Sequence, residues 1–236
     1  MNDPFAGVAA LHGVASAAAY ARDAIDAVLQ HPALRRDAAA CAADSALRGA
    51  RASAVLAGGD PDEVADPYLQ GALRATGDTV ELAKKWEGSP GQVLARLHVL
   101  VARDLVSDAD ALGRPVPDAD SARLDQLMRL AVAPTAAPGV VVAAIVHGEL
   151  AVMRPFGSAD ALLARAAERM VLVARGVDIK AVGVPEAGHL ALKSAYEPLL
   201  EAYAGGTPDG VGAWLRHCAE AYARGADEAL AVLDAR

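Results

Sequence analysis

The amino-acid sequence predicts an all-α protein, and three features of the chain support this expectation. Alanine, leucine and valine supply most of a hydrophobic content of 54%, whereas aromatic residues make up only 4%, a balance that favours closely packed helices over sheet. Apolar residues recur with helical period along much of the chain, and helix-capping and helix-ending residues separate the periodic stretches. The 236 residues can bury a sizeable core, and we expect one domain over residues 1–236.

The N-terminal region, about residues 1–90, is expected to contain three helices. Alanine-rich sequence of helical period covers residues 16–29 and 33–57. The Gly58-Gly59-Asp60-Pro61 cluster ends the second of these helices, because glycine and proline interrupt the helical backbone. Asp66, followed by Pro67, then marks the start of a helix that reaches Lys85.

The central region, about residues 92–180, begins with a helix capped by Ser89 that ends before Ser107. The following segment, residues 108–118, contains a glycine and two prolines and predicts a short extended flap. Helical period resumes over residues 120–133 and again from Pro138 to Met153.

A tight turn at residues 155–157 interrupts the chain after the apolar helix, and Ser158 is the expected N-cap of a second helix over residues 159–175. The sequence therefore predicts a central helix-loop-helix. The C-terminal region, about residues 186–236, is expected to form helices over residues 186–203, with a break at Pro198, and over residues 207–233.

Charge and cysteine content narrow the classes of partner. The formal net charge is −8, which opposes binding to nucleic acid and to anionic membranes. Cys41 and Cys218 lack the CxxC spacing of a disulfide framework or zinc site, and we expect no metal and no cofactor. The most apolar stretch, residues 139–146, is too short to span a membrane. Because the N-terminus does not resemble a secretory signal, a cytoplasmic location is expected.

A run of twelve residues occupies the loop of the central helix-loop-helix and the start of its second helix. Residues 154–165 read R-P-F-G-S-A-D-A-L-L-A-R. This segment resembles the H-P-F-x-x-G-N-G-R-x-x-R motif of the Fic (Fic/Doc) family, whose members mostly transfer AMP or another phosphate-containing group to a protein hydroxyl. Pro155, Phe156 and Arg165 match the motif. The resemblance implies a Fic-like helical bundle.

Flanking residues extend the resemblance over roughly residues 94–233. His147 lies before the motif where the family often has a histidine, Leu97-His98 is similar to an LH pair in the preceding helix, and Gly113-Arg114 is similar to a loop entry. Trp214-Leu215 is similar to a segment near the start of the last long helix.

An inhibitory helix of the family carries the pattern S/T-x-x-x-E-G/N, whose glutamate blocks productive ATP binding. Ser53 and Gly58 match this pattern, but Ala57 replaces the glutamate. We interpret Ser53, Ala57 and Gly58 as a lost inhibitory position.

The substitutions within the motif remove several parts of the family's mechanism. Arg154 replaces the histidine that accepts a proton from the attacking hydroxyl, and an arginine stays protonated at any physiological pH. Ala159 and Ala161 replace the glycines that let backbone N–H groups cradle phosphate, and Asp160 adds a negative charge there. The apolar Leu162 replaces an arginine that grips phosphate. We expect no catalytic residues in this motif and no AMP transfer.

The leading hypothesis is therefore a catalytically degenerate Fic-like domain that binds an unidentified protein partner or regulates one. A second hypothesis is a divergent nucleotidyl or phosphoryl transferase that acts on protein hydroxyls with His147 or Asp160 as its base. A third is a plain helical protein unrelated to the family. Long alanine-rich helices are also compatible with a homo-oligomer.

Two groups of residues are candidates for binding a phosphate-containing small molecule. An anion site at the degenerate motif would use Arg154, Pro155, Phe156, Gly157, Ser158, Asp160 and Arg165, and an adjoining pocket would use His147, Gly113 and Arg114. Structural alternatives stand beside these assignments. His147 and His98 can be hydrogen-bonded core residues, Arg154 can pair with Glu149 or Asp160, and Arg165 can lie on a solvated face.

Overall fold

The computed structural model describes residues 3–235, and the all-α prediction is confirmed over this range, which contains no strand. The chain forms twelve α-helices and one 3₁₀ turn within these residues. The helices are α1 (Ala6–Ala9), α2 (Val14–Gln30), α3 (Pro32–Arg36), α4 (Ala38–Leu56), α5 (Pro67–Trp86), α6 (Pro90–Ala102), α7 (Ser121–Val132), α8 (Gly139–Met153), α9 (Asp160–Ala174), α10 (Pro185–Ala191), α11 (Lys193–Ala204) and α12 (Pro208–Asp234).

Helix α9 lies at the centre of the fold. Almost every residue from Asp160 to Leu172 is buried, because α8, α5, α6 and α4 all pack around this helix. Alanines at positions 164, 166 and 167 are among the buried residues, and their small side chains let the neighbouring helices approach closely. Helices α8 and α9 are the pair that the sequence predicts around the motif.

Helix α12 is the longest helix of residues 3–235 and packs against α2, α8, α10 and α11. Its Trp214 is fully buried, and the indole Nε1–H donates a 2.9 Å hydrogen bond to the carbonyl of Ala144 in α8. A buried indole is stable when its polar N–H finds such a partner. This contact fixes α12 against the helix that precedes the motif loop.

The helix expected over residues 33–57 is wrong in one respect, because the chain breaks it into α3 and α4. Asp37 lies between the two helices, and its carboxylate accepts a 2.9 Å hydrogen bond from the backbone N–H of Ala40. An aspartate in this geometry caps a new helix instead of continuing the old one. Alanine-rich period alone did not reveal this cap.

The break expected at Pro198 is also wrong, since the chain breaks earlier, at Leu192 between α10 and α11. Pro198 lies inside α11. It is the sixth of the twelve residues of α11, so its missing N–H removes one hydrogen bond from the interior of this helix without ending it.

The expected flap, residues 108–118, is a 3₁₀ turn at Ala109–Ala111 followed by two short turns, and no part of it is a strand. It nevertheless lies against the motif loop, because the N–H of Val116 donates a 2.9 Å hydrogen bond to the carbonyl of Pro155. Among residues 3–235, none of the helices combines the length and apolarity that a membrane span requires.

Gly188 marks the closest approach of α10 to α12. A Cβ added at Gly188 would lie 1.8 Å from the carbonyl oxygen of Ala221, so any larger residue must push the two backbones apart. His189, the next residue, is buried against the same helices. The absence of a side chain at Gly188 therefore allows the short distance between α10 and α12.

We predict that Gly188→Ala destabilises the protein by more than about 2 kcal/mol, because the added methyl group meets backbone and not a movable side chain. Urea unfolding followed by circular dichroism measures the change. Gly77→Ala is the matched control, since nothing lies within 4 Å of a Cβ at this exposed position in α5. The control should stabilise the protein by about 0.5–1 kcal/mol. Equal stability of the two variants would contradict the close approach.

Candidate functional site

The loop between α8 and α9 is a tight turn in which three residues adopt left-handed backbone conformations. Arg154 has a φ of 49°, Gly157 a φ of 68° and Ala159 a φ of 53°. Glycine adopts this conformation readily, whereas a residue with a Cβ is strained by about 1–2 kcal/mol. Arg154 is the C-cap of α8 and its side chain is exposed. Contacts with the rest of the protein must therefore offset the strain at Arg154 and Ala159.

Asp160 supplies the anion that this loop binds. It is the first residue of α9 and is 5% exposed, and its Oδ1 accepts a 3.0 Å hydrogen bond from the backbone N–H of Phe156. Burial raises the pKa of the Asp160 carboxyl, while backbone hydrogen bonds and the nearby charge of Arg154 act in the opposite direction. A backbone N–H of the loop thus points at a side chain of the same protein.

Ser158 does not cap α9 as expected. Ala159 is the N-cap residue, and no side chain accepts a capping hydrogen bond there. The Oγ and the carbonyl oxygen of Ser158 each lie 3.3 Å from Nε2 of His98. The serine therefore joins the loop to α6.

His98 connects three elements around the motif. Its ring stacks on Phe156 with centroids 4.2 Å apart and an interplanar angle of 11°. Its Nδ1 lies 2.9 Å from the backbone N of Gly113, so this nitrogen accepts and the ring proton belongs on Nε2, facing Ser158. Burial lowers the pKa of His98. Gly113 has a φ of 75°, and Arg114 is exposed; His147, the third residue of the expected pocket, contacts Glu168 and Tyr196 instead.

Arg165, the last residue of the motif, is buried and not on a solvated face. It is 1% exposed, its Nε donates a 2.9 Å hydrogen bond to Oγ of Ser53, and its Nη2 donates a 2.9 Å bond to the carbonyl of the same residue. The structure therefore joins two elements that the sequence predicts separately, the motif and the lost inhibitory position. Arg154 is exposed, so the two arginines lie in different environments.

Gly58 has a purely structural role at the end of α4. Its φ is 85°, its N–H donates to the carbonyl of Val55 at 3.1 Å, and the N–H of Gly59 donates to the carbonyl of Ala54 at 2.9 Å. These two bonds form the Schellman motif that ends many helices. Ala57 is the C-cap residue and is partly buried.

A second charged residue of α9 is bound in the same way as Arg165. Arg169 is 2% exposed and donates from Nη1 to Glu186 at 2.8 Å. Its Nη2 donates to Oγ of Ser45 at 2.6 Å and to the carbonyl of Ala181 at 2.9 Å. Helix α9 is thereby tied to α4 and α10 by guanidinium groups.

His147 lies in a buried polar network and not in the motif loop. Its Nδ1 is 2.8 Å from Oε1 of Glu168 and its Nε2 is 2.7 Å from the hydroxyl of Tyr196. Glu168 also accepts from His189 Nε2 at 2.9 Å and from the hydroxyl of Tyr222 at 2.7 Å. Burial alone would raise the pKa of Glu168, but the two imidazoles hold it well below its usual value.

The sequence points to His147 as a candidate residue, but it does not point to Glu168, His189 or Tyr222. Glu168 lies 21 residues from both His147 and His189, and Tyr222 lies 54 residues from Glu168. No short motif can reveal residues so far apart. The sequence signal for the network is Glu168 itself, because an acidic residue among the apolar residues of a buried helix needs polar partners.

One of the two expected partners of Arg154 is wrong. Glu149 binds Arg123 through both oxygens, at 2.8 Å and 3.0 Å, and also accepts from the hydroxyl of Tyr203 at 2.8 Å. The charge of Arg154 instead acts on Asp160.

Comparisons with known proteins agree with the fold. No protein-family model matches the chain, and no curated protein matches it. Among solved structures, the chain is similar to the crystal structure of a Fic family protein from Desulfovibrio desulfuricans G20, with a TM-score of 0.65 and 19% identity over 95% of this chain and 76% of that one. The chain therefore has a Fic-like fold.

We predict that Arg165→Met destabilises the protein by about 1–3 kcal/mol, because the hydroxyl of Ser53 remains buried without its partner and the carbonyl of Ser53 keeps only the N–H of Ala57. Arg154→Gln is the matched control, since its exposed side chain should contribute no more than about 0.5 kcal/mol. Urea unfolding of both variants measures the difference. If the two losses are equal, the Arg165–Ser53 contact does not hold α4 on α9.

We predict a pH-dependent contribution from His98. Because burial lowers its pKa in the folded protein, protonation favours the unfolded chain, so this contribution is present above the unfolded pKa of about 6.5 and is lost as the pH falls below it. Urea unfolding between neutral and mildly acidic pH measures the slope. His98→Asn keeps an acceptor for Gly113 but cannot be protonated, so its stability should change less with pH than that of the wild type. Identical slopes would show that His98 does not contribute.

Proposed function

We propose that this protein is a noncatalytic Fic-like domain that acts by binding another protein. The observation that carries the proposal is the buried carboxylate of Asp160, which accepts the backbone N–H of Phe156 within the motif loop. A loop of this kind cradles phosphate when its N–H groups are free and no anion competes. Here an internal anion takes the place that a phosphate would need.

The residue that replaces the family's base supports the same conclusion. Arg154 is exposed at the C-terminus of α8 and stays protonated, so it cannot accept a proton from a hydroxyl. His147, the other histidine near the motif, is fully buried, and both of its ring nitrogens are bonded within the protein. Neither side chain is placed to act as a general base on an exposed substrate.

The remaining phosphate-binding features of the motif are also altered. Leu162 is 2% exposed and forms part of the core. Arg165, which matches the motif, has donors committed to Ser53. A fold that is kept while these groups are replaced favours a role in protein recognition or regulation over group transfer.

A second candidate function is a divergent transferase with Asp160 as its base. The raised pKa of the Asp160 carboxyl, caused chiefly by burial, is the observation that favours it, because burial that disfavours the charged form is typical of carboxyls that exchange protons during catalysis. Its burial and its bond to the Phe156 N–H weigh against this role.

We predict that the purified protein transfers no label to itself or to lysate proteins from ATP labelled at the α-phosphorus, with magnesium present. Arg154→His should remain inactive as well, because restoring the base does not restore the phosphate cradle or remove Asp160. Autoradiography of the separated proteins measures transfer, with an active Fic enzyme as the positive control.

Label transferred by the wild-type protein and abolished in Asp160→Asn would overturn the noncatalytic proposal and favour the divergent transferase. Thermal unfolding with and without ATP provides an independent measurement. A ligand that binds the folded protein raises the unfolding temperature. An unchanged temperature supports a motif loop that is already occupied by Asp160. An increase without label transfer identifies an anion site that does not perform the reaction.

A further inference from the structure

Four side chains with the chemistry of metal ligands meet in the interior, away from the motif loop. They are His147 of α8, Glu168 of α9, His189 of α10 and Cys218 of α12, and their nitrogen, oxygen and sulfur atoms all lie within 4.8 Å of one another. All four residues are 0% exposed. The donors thus come from four helices that meet around one point.

We propose that this cluster, the His₂-Glu-Cys cluster, binds a single zinc ion that has a structural role. Two imidazoles, one carboxylate and one thiolate form a four-coordinate ligand set that zinc accepts. Imidazole and thiolate donors disfavour magnesium and calcium, which prefer oxygen ligands. The four protein ligands leave no open position for a substrate, as in structural zinc sites.

The dimensions of the cluster fit a tetrahedral ion after small adjustments. Zinc ligands at about 2.0–2.3 Å from the metal are separated from one another by roughly 3.3–3.8 Å. Within the cluster, His147 Nδ1 and His189 Nε2 lie 2.8 Å and 2.9 Å from the carboxylate oxygens of Glu168, and the widest separation between ligand atoms is within 4.8 Å. The two histidine–glutamate distances are thus shorter than the tetrahedral value by about 0.4 Å or more, and no pair of ligand atoms is more than 4.8 Å apart.

Groups outside the cluster are placed to orient both imidazoles. The Nε2 of His147 lies 2.7 Å from the hydroxyl of Tyr196, and the Nδ1 of His189 lies 3.3 Å from Nε2 of His217. A histidine that binds metal through one nitrogen usually bonds through the other to such a partner, which fixes its tautomer and ring orientation. Both histidines of the cluster have this second contact.

Charge balance also favours an ion at this point. A zinc ion with one thiolate and one carboxylate forms a neutral unit, which is the form that a fully buried site tolerates best. The thiol of Cys218 is also hydrogen-bonded to Glu168 and Tyr222, but Glu168 already receives donors from His147, His189 and Tyr222. A thiol adds little to such a network but is a strong zinc ligand once deprotonated.

Cobalt substitution of the 236-residue protein tests the site directly. The protein is purified from zinc-supplemented medium, its metal content is measured by plasma mass spectrometry, and a metal-free sample is then titrated with Co²⁺. We expect one zinc per chain, an intense visible spectrum of four-coordinate cobalt, and a thiolate-to-cobalt charge-transfer band. Cys218→Ser should lose the charge-transfer band, whereas Cys41→Ser, altered at the other cysteine, should keep it.

Thermal unfolding and hydrogen exchange complete the test and do not require Cys218→Ser to fold. Zinc should raise the unfolding temperature of the metal-free wild type as its free concentration increases, and should slow amide exchange in α10. Wild-type protein that carries no stoichiometric zinc, and that remains folded while showing only the weak spectrum of hydrated cobalt, would overturn the proposal. The cluster would then be a hydrogen-bonded network alone.

Discussion

The structure depends on one constraint, which is that its most buried helix carries four charged side chains. Asp160, Arg165, Glu168 and Arg169 of α9 are all between 0% and 5% exposed. A buried charge is tolerated only when it is paired or fully hydrogen-bonded. Each of the four therefore requires partners at a defined place, and the helices around α9 are held where those partners can reach it.

The partners explain why the motif has the shape that it has. Asp160 accepts a hydrogen bond from the backbone of the loop that precedes it. Arg165 binds α4 through Ser53. Glu168 accepts hydrogen bonds from residues of α8, α10 and α12. The same contacts fix the motif loop and the helix that follows it. In this Fic-like fold the buried polar residues of α9 are held by partners from the surrounding helices.

Much of the fold could be predicted from the sequence, because helix period and capping are local signals. The bounds of α8 and α9 follow from Pro138, the turn at residues 155–157 and Gly176. The cap at Asp37 and the break at Leu192 were missed, since an alanine-rich run and a proline gave stronger but misleading signals. The site was harder to predict, because the contact of Ser53 with Arg165 spans 112 residues and depends on how whole helices pack.

The bond between Ser53 and Arg165 has a consequence for the way the chain can be divided. Ser53 lies in the N-terminal region, whereas the motif lies in the central region, about residues 92–180. A deletion fragment that begins there would lack Ser45 and Ser53, and the guanidinium groups of Arg165 and Arg169 would lose hydrogen-bond acceptors in α4. The N-terminal helices α4 and α5 are therefore part of the packing around the motif helix α9, and the central region cannot be separated from them without exposing buried polar groups.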